Sequence, residues 1–201
     1  MKQQAALALI ELDSVPSGIF TADAMLKEAP VSILKSGTVH NGKYLILVGG
    51  TVASVELAFS KGMGKGKEHL LDAVFLPNIH DEVYEACLGE RKNCGSEALG
   101  VMEVATVSAI LKGADAAMKG AKIELVELRL ADDLGGKSIA IYAGKVEEVE
   151  TALSLSESVL ENTEYILSQT IIPRIDPEIA KQINVSTYFS RTEMAQLAQG
   201  E

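Results

Sequence analysis

Val39-His40-Asn41-Gly42-Lys43 leads into the apolar stretch 44–48, and Asp132-Asp133-Leu134-Gly135-Gly136-Lys137 leads in the same way into the apolar stretch 138–142. Each unit then reaches a glycine, Gly50 or Gly144, and a segment with helical spacing. The same turn built twice at matching places marks a duplicated chain. Upstream, Ala6-Leu7-Ala8-Leu9-Ile10-Glu11 lines up with Ala98-Leu99-Gly100-Val101-Met102-Glu103, Ala22-Asp23-Ala24 with Ala114-Asp115-Ala116, and Lys27 with Lys119. Downstream, Val52, Val55 and Ala58 meet Val146, Val149 and Ala152, and Pro77 and Ile79 meet Pro173 and Ile175. The offset grows from about 92 to about 96 residues, too long for a solenoid repeat, so the reading is two domains in tandem.

Both copies read in one order: strand, helix, strand, glycine loop, strand, helix, strand. The expected strands are 7–12, 31–34, 44–48 and 70–76 in the first copy, and 99–104, 123–130, 138–142 and 165–172 in the second. Helices are expected at 19–29 and 110–121, and from Gly50-Thr51 and Gly144-Lys145 onward. The class is α/β, more narrowly an α+β arrangement of ferredoxin-like kind with helices packed on a sheet. The first domain is placed at 5–88, a linker at 89–97, the second domain at 98–183 and a tail at 184–201, in which 192–198 has the pattern of a short helix.

The composition narrows the function. In 201 residues, 47% apolar and 23% charged, the formal charge is −10, and no stripe of Lys and Arg suits a phosphate backbone, so nucleic acid is not an expected partner. The apolar runs fall far short of the ~20 residues that span a bilayer, so no membrane partner is expected. Met1-Lys2-Gln3-Gln4 leads into Ala5-Ala6-Leu7 without the pattern of a signal peptide, and a cytoplasmic location is the expectation. Cys87 and Cys94 form no CxxC pair, so reduced thiols are expected.

Candidate chemistry is sparse. Gly62-Met63-Gly64-Lys65-Gly66-Lys67 lacks the Lys-Ser or Lys-Thr of a phosphate loop, because Glu68 follows; it reads as a flexible surface connection. Gly49-Gly50 and Ala143-Gly144 read as tight turns, and Glu147, Glu148 and Glu150 at the second of these would repel an anion. Glu11 and Glu103 are read as structural carboxylates bonded to backbone or to a neighbouring copy. His40, His69 and His80 are the only histidines, and no Ser–His–Asp cluster, HExxH or dinucleotide fingerprint is present. No catalytic residue is assigned and no enzyme is expected.

With both copies laid out, the chain resembles the bacterial microcompartment shell proteins of the tandem BMC-domain class, over about residues 5–183. The resemblance rests on the Ala-Asp-Ala-x-x-Lys helix (residues 22–27 and 114–119), on the loops His40-Asn41-Gly42 and Leu134-Gly135-Gly136, and on the edge segments Ile172-Pro173-Arg174 and Leu76-Pro77-Asn78. The propanediol-utilisation type, with its Thr-x-x-x-Gly-Lys loop, here residues 38–43, is the nearest in look. It implies a homotrimer whose six domains close a hexamer-like tile. Such a tile packs edge to edge with other shell proteins around encapsulated enzymes. Val39, His40, Asn41, Gly42, Leu134, Gly135 and Gly136 would line a central pore for small polar metabolites, and Lys27, Lys119, Asn78 and Arg174 would lie at the tile edge. No resident cofactor is expected. The branch that carries an iron–sulfur cluster on the trimer axis has its cysteine where this chain has His40, while Cys87 and Cys94 fall elsewhere. Three His40 rings on the axis are the alternative set of metal ligands. The competing function is a trimeric, ferredoxin-like regulator that binds a small ligand between subunits.

Overall fold

The computed structural model describes residues 6–95, 98–160 and 162–192. The first copy comprises β1 (Ala6–Leu12), α1 (Val15–Glu28), β2 (Ser32–Thr38), β3 (Tyr44–Gly50), α2 (Val52–Gly66), β4 (Leu70–Leu76) and α3 (Asp81–Cys87). The second repeats it as β5 (Ala98–Val104), α4 (Val107–Gly120), β6 (Glu124–Leu130), β7 (Ser138–Gly144), α5 (Val146–Ser158), β8 (Ile166–Ile172) and α6 (Pro177–Val185). Each copy builds one antiparallel sheet, in the order β2-β3-β1-β4 and β6-β7-β5-β8.

The central strands are apolar on both faces because both faces are covered. Along β1, Ala6, Ala8, Ile10 and Leu12 meet the helices of their own copy, whereas Leu7 and Leu9 join a core that runs on into the second copy through Met102, Val107 and Leu111. Side-chain caps set the helix starts: Ser14, Thr51 and Thr106 accept from the N–H of Ser17, Ser54 and Ala109. The copies are joined by packing: α4 lies against β1 and β4 of the first copy, and α3 against β6 and α4 of the second.

Several expectations need correction. The glycine run 62–67 is no flexible connection: it is the end of α2 and the start of a 3-10 turn, Lys67–His69. Gly62 and Gly66 are buried because a Cβ there would meet Ile10 and Met25, or Leu12, at 2.5–2.8 Å, so their bareness lets α2 close on the core. Within the stretch expected as a linker, Cys94 is buried and Arg91 bonds Glu127, so that stretch belongs to the second copy's packing. The short helices α3 and α6 were not anticipated. The strand expected at 31–34 continues to Thr38, as an edge strand whose Lys35, Ser36 and Gly37 carry no apolar signature. The helix expected at 192–198 lies, after Thr192, outside the described residues.

Two glycines in helices make opposite demands. A Cβ on Gly18 would stand 2.3 Å from the Tyr44 ring and 2.7 Å from Tyr44 Cβ, while one on exposed Gly64 would meet nothing within 4 Å. Gly18→Ala is expected to cost about 1–3 kcal/mol through overpacking. Gly64→Ala is expected to gain about 0.5–1 kcal/mol by restricting the unfolded chain. Thermal unfolding of the two variants should therefore move in opposite directions.

Candidate functional site: two loops at one joint

The loop after β2 is a single 3-10 turn, His40–Gly42, in which Asn41 (φ 66°) and Gly42 (φ +72°) are left-handed. The loop before β7 turns through Asp133 (φ 59°), Gly135 (φ +61°) and Gly136 (φ +85°). Asn and Asp tolerate this region better than other residues with a side chain, whereas buried Ala131 (φ 68°), at the head of the second loop, holds it without a side chain that helps. The two loops touch. A Cβ on Gly136 would meet the His40 carbonyl oxygen at 3.2 Å, so glycine is required both by φ and by the approach of the other loop.

Three contacts fasten the loops together. The Asp133 N–H donates to His40 Nδ1 at 3.1 Å, and His40 Nε2 lies 3.8 Å from Asp133 Oδ1. Lys35 Nζ donates to Asp132 Oδ2 at 3.3 Å, so one of the two loop carboxylates has a cation beside it. Lys43 carries the third and deepest contact. Its Nζ donates to the carbonyls of Gly136 (3.0 Å) and Ala105 (2.9 Å) and lies 3.5 Å from Glu11 Oε2. Glu11 is fully buried and accepts through Oε1 from the Ser108 N–H at 2.7 Å, at the start of α4. It is a structural carboxylate that ties β1 of one copy to a helix N-terminus of the other. Burial raises its pKa above the ordinary carboxylate value, against the opposing pull of the Ser108 N–H and the Lys43 ammonium.

The geometry also decides what His40 can do. With Nδ1 accepting a backbone N–H, the neutral ring carries its proton on Nε2. That nitrogen is a hydrogen-bond donor, and ligation of a metal through it would require the bond from Asp133 to Nδ1 to break. Cys87 and Cys94 are both buried, and burial pushes the Cys87 thiol up to about 12. Among the described residues no three His, Cys, Asp or Glu side chains gather as a metal site.

The expected loop residues fall where the two copies meet. His40, Asn41, Gly42 and Gly135 are exposed, Val39 and Leu134 half-buried, and Gly136 buried under the opposite loop. The expected edge residues separate into two sets. Lys119 donates to the Asn78 carbonyl and, at 2.6 Å, to Asp115, whose Oδ1 accepts from the His80 N–H at 2.8 Å; this group spans the joint between copies. Among the described residues Lys27 bonds its helix neighbour Asp23, at 2.7 Å, and Arg174 is exposed. Sequence reasoning gave Lys43 no role of its own. The Gly-Lys repeat at 42–43 and 136–137 was the available signal for Lys43.

Comparison with known proteins agrees with the duplication. The BMC domain model matches twice, at residues 6–79 and 98–175. The bacterial microcompartment shell protein PduT of Citrobacter freundii is 33% identical over 89% of this chain and 97% of its own length. The carboxysome assembly protein CcmO of Synechocystis is 26% identical over 92% of this chain and 66% of its own. A microcompartment protein of Desulfitobacterium hafniense superposes with TM-score 0.77 at 31% identity, covering 88% of this chain and 98% of that one.

The buried Glu11 has a consequence for pH. Its carboxyl holds a proton to higher pH in the fold than in the unfolded chain, so the stability it contributes falls as pH rises above about 4.5 through the raised value. Glu11→Gln removes that dependence. The melting temperature of the variant relative to wild type is expected to rise between about pH 4 and pH 7, as read by parallel thermal melts. The chain belongs to the bacterial microcompartment shell proteins, as a member that carries two BMC domains in tandem.

Proposed function

We propose that three copies of this chain close into a ring of six BMC domains, a tile of a microcompartment shell with a pore rimmed by the 39–42 and 134–136 loops. The observation that carries this reading is a mismatch between equivalent positions. Leu111 on α4 and Val83 on α3 are completely buried at the joint between copies, whereas their counterparts Ile19 on α1 and Ile179 on α6 are 57% and 53% exposed. A joint that uses unlike surfaces propagates from chain to chain, and it ends only when a ring closes. The apolar side chains left on α1 and α6 are those a second copy would cover in the same way.

The rim would be polar. His40 offers an N–H, Asp133 an exposed carboxylate, and Asp132 is paired with Lys35. Such a rim favours neutral or cationic polar solutes over anions. The hydrogen bond that occupies Nδ1 of His40 supports a pore without a resident metal. Lys27 and Arg174 are proposed to face neighbouring tiles, with enzymes enclosed by the shell they form.

Sedimentation velocity at micromolar concentration should give a trimer, and Ile19→Asp should shift it to monomer by placing a charge in the covered face. A monomeric wild type overturns the ring. Metal content is a separate test: purified wild type and His40→Ala should carry equal metal per chain, and a stoichiometric loss in the variant would restore His40 as a ligand.

A further inference from the structure

Lys43 and Lys137 occupy equivalent places, yet their surroundings differ. The Lys43 side chain is 12% exposed and its Nζ reaches Glu11 together with the carbonyls of Ala105 and Gly136 in the other copy. Lys137 has the same intracopy partner, Glu103 Oε1 at 2.6 Å, but its side chain is 44% exposed. In the repeat, Ala105 corresponds to Asp13 and Gly136 to Gly42. Within its own chain the Lys137 ammonium is bonded to Glu103 and to neither of those two carbonyls.

We infer that Lys137 is a latch between chains, its ammonium donating to the main-chain carbonyls of Asp13 and Gly42 in a second copy. The inference rests on the ring proposed above and names the residue that seals its loops across subunits. In this arrangement each first-copy loop is gripped from both sides. Lys43 ties it to the second loop of its own chain, and Lys137 of the neighbouring chain holds the carbonyl of Gly42, two residues after His40.

The two joints are not equal. Ser108, whose N–H donates to the Glu11 carboxylate, corresponds to Pro16, which has no N–H to give. Glu103 would therefore lack the helix-terminal donor that Glu11 has, and among the described residues Lys137 is its charged partner. Loss of the Lys137 ammonium should open the joint between chains and leave the joint within the chain intact.

The test is sedimentation velocity over a dilution series on wild type, Lys137→Met and Lys137→Arg, with far-UV circular dichroism to verify the fold. Lys137→Met should raise the concentration at which trimer dissociates by at least about tenfold, as expected for charge-assisted hydrogen bonds lost at each joint. Lys137→Arg, which keeps the donors, should stay close to wild type. A second reading uses wild type alone: an amine-reactive acetylating reagent should modify exposed Lys65 faster than Lys137 in the trimer. A trimeric wild type with an equally stable Lys137→Met trimer, or equal labelling of the two lysines, overturns the latch alone. A wild type that stays monomeric overturns the ring and the latch together.

Discussion

The joint between the two copies depends on one buried charge. Lys43 places an ammonium among two carbonyls and the Glu11 carboxylate, and Glu11 is itself completely shielded from water. Taking both ions out of water is expensive, and in general an apolar pair of similar volume would serve stability as well or better. What the ion pair adds is register. An apolar contact tolerates sliding, whereas an ammonium that must meet the carbonyls of Ala105 and Gly136 together allows the two loops one relative position. The Ser108 N–H adds a third directional constraint, from the start of α4. Most of the cohesion comes from the apolar core that crosses the joint, and the polar group selects the alignment in which that core forms.

A duplicated chain faces a problem that a symmetric ring of identical domains does not. Its two copies meet each other through a joint that is covalently assured, and they meet other chains through joints that are not. The copies have diverged accordingly. Beside the first loop lies a cleft of about 240 Å³ lined by Leu9, Thr38, Val39, Leu45, Leu130 and Asp132. In the second copy the position of Lys35 is taken by Glu127, which is buried and bonded to Arg91 and Thr187, and Arg129 at the place of Gly37 stacks its guanidinium 3.7 Å from the centre of the Tyr188 ring. The second sheet edge is thus stapled by the segment that follows α3 and by the segment that follows α6, while the first remains open.

Much of this fold was legible because duplication gives each element a second witness. A short apolar run such as 44–48 is ambiguous alone, and its recurrence at 138–142 before an equivalent glycine is not. The helices that escaped were the two short ones, α3, whose burial is supplied by the other copy, and α6, which buries no residue. α3 has seven residues, begins Asp81-Glu82, and buries only Val83, Ala86 and Cys87, too few for a helical period to show. The run 62–67 misled because glycine is read first as a turn residue, and its packing use becomes visible only when Ile10, Leu12 and Met25 are placed opposite. The loops themselves were found from Gly42-Lys43 and Gly136-Lys137. The hydrogen bond from Asp133 to His40 joins residues 93 apart, and no local pattern announces it.

That bond decides the chemistry of the loop pair. An imidazole can be an acceptor, a donor, a ligand or a cation, and the bare sequence leaves all four open. Once the Asp133 N–H occupies Nδ1, ligation through Nε2 would require the ring proton to move to the nitrogen that is already accepting one. With the Asp133 N–H on Nδ1, the neutral ring keeps its own N–H at Nε2, 3.8 Å from the carboxylate of the same residue, so one residue holds both ends of the imidazole and the loop pair sets a donor beside an acceptor.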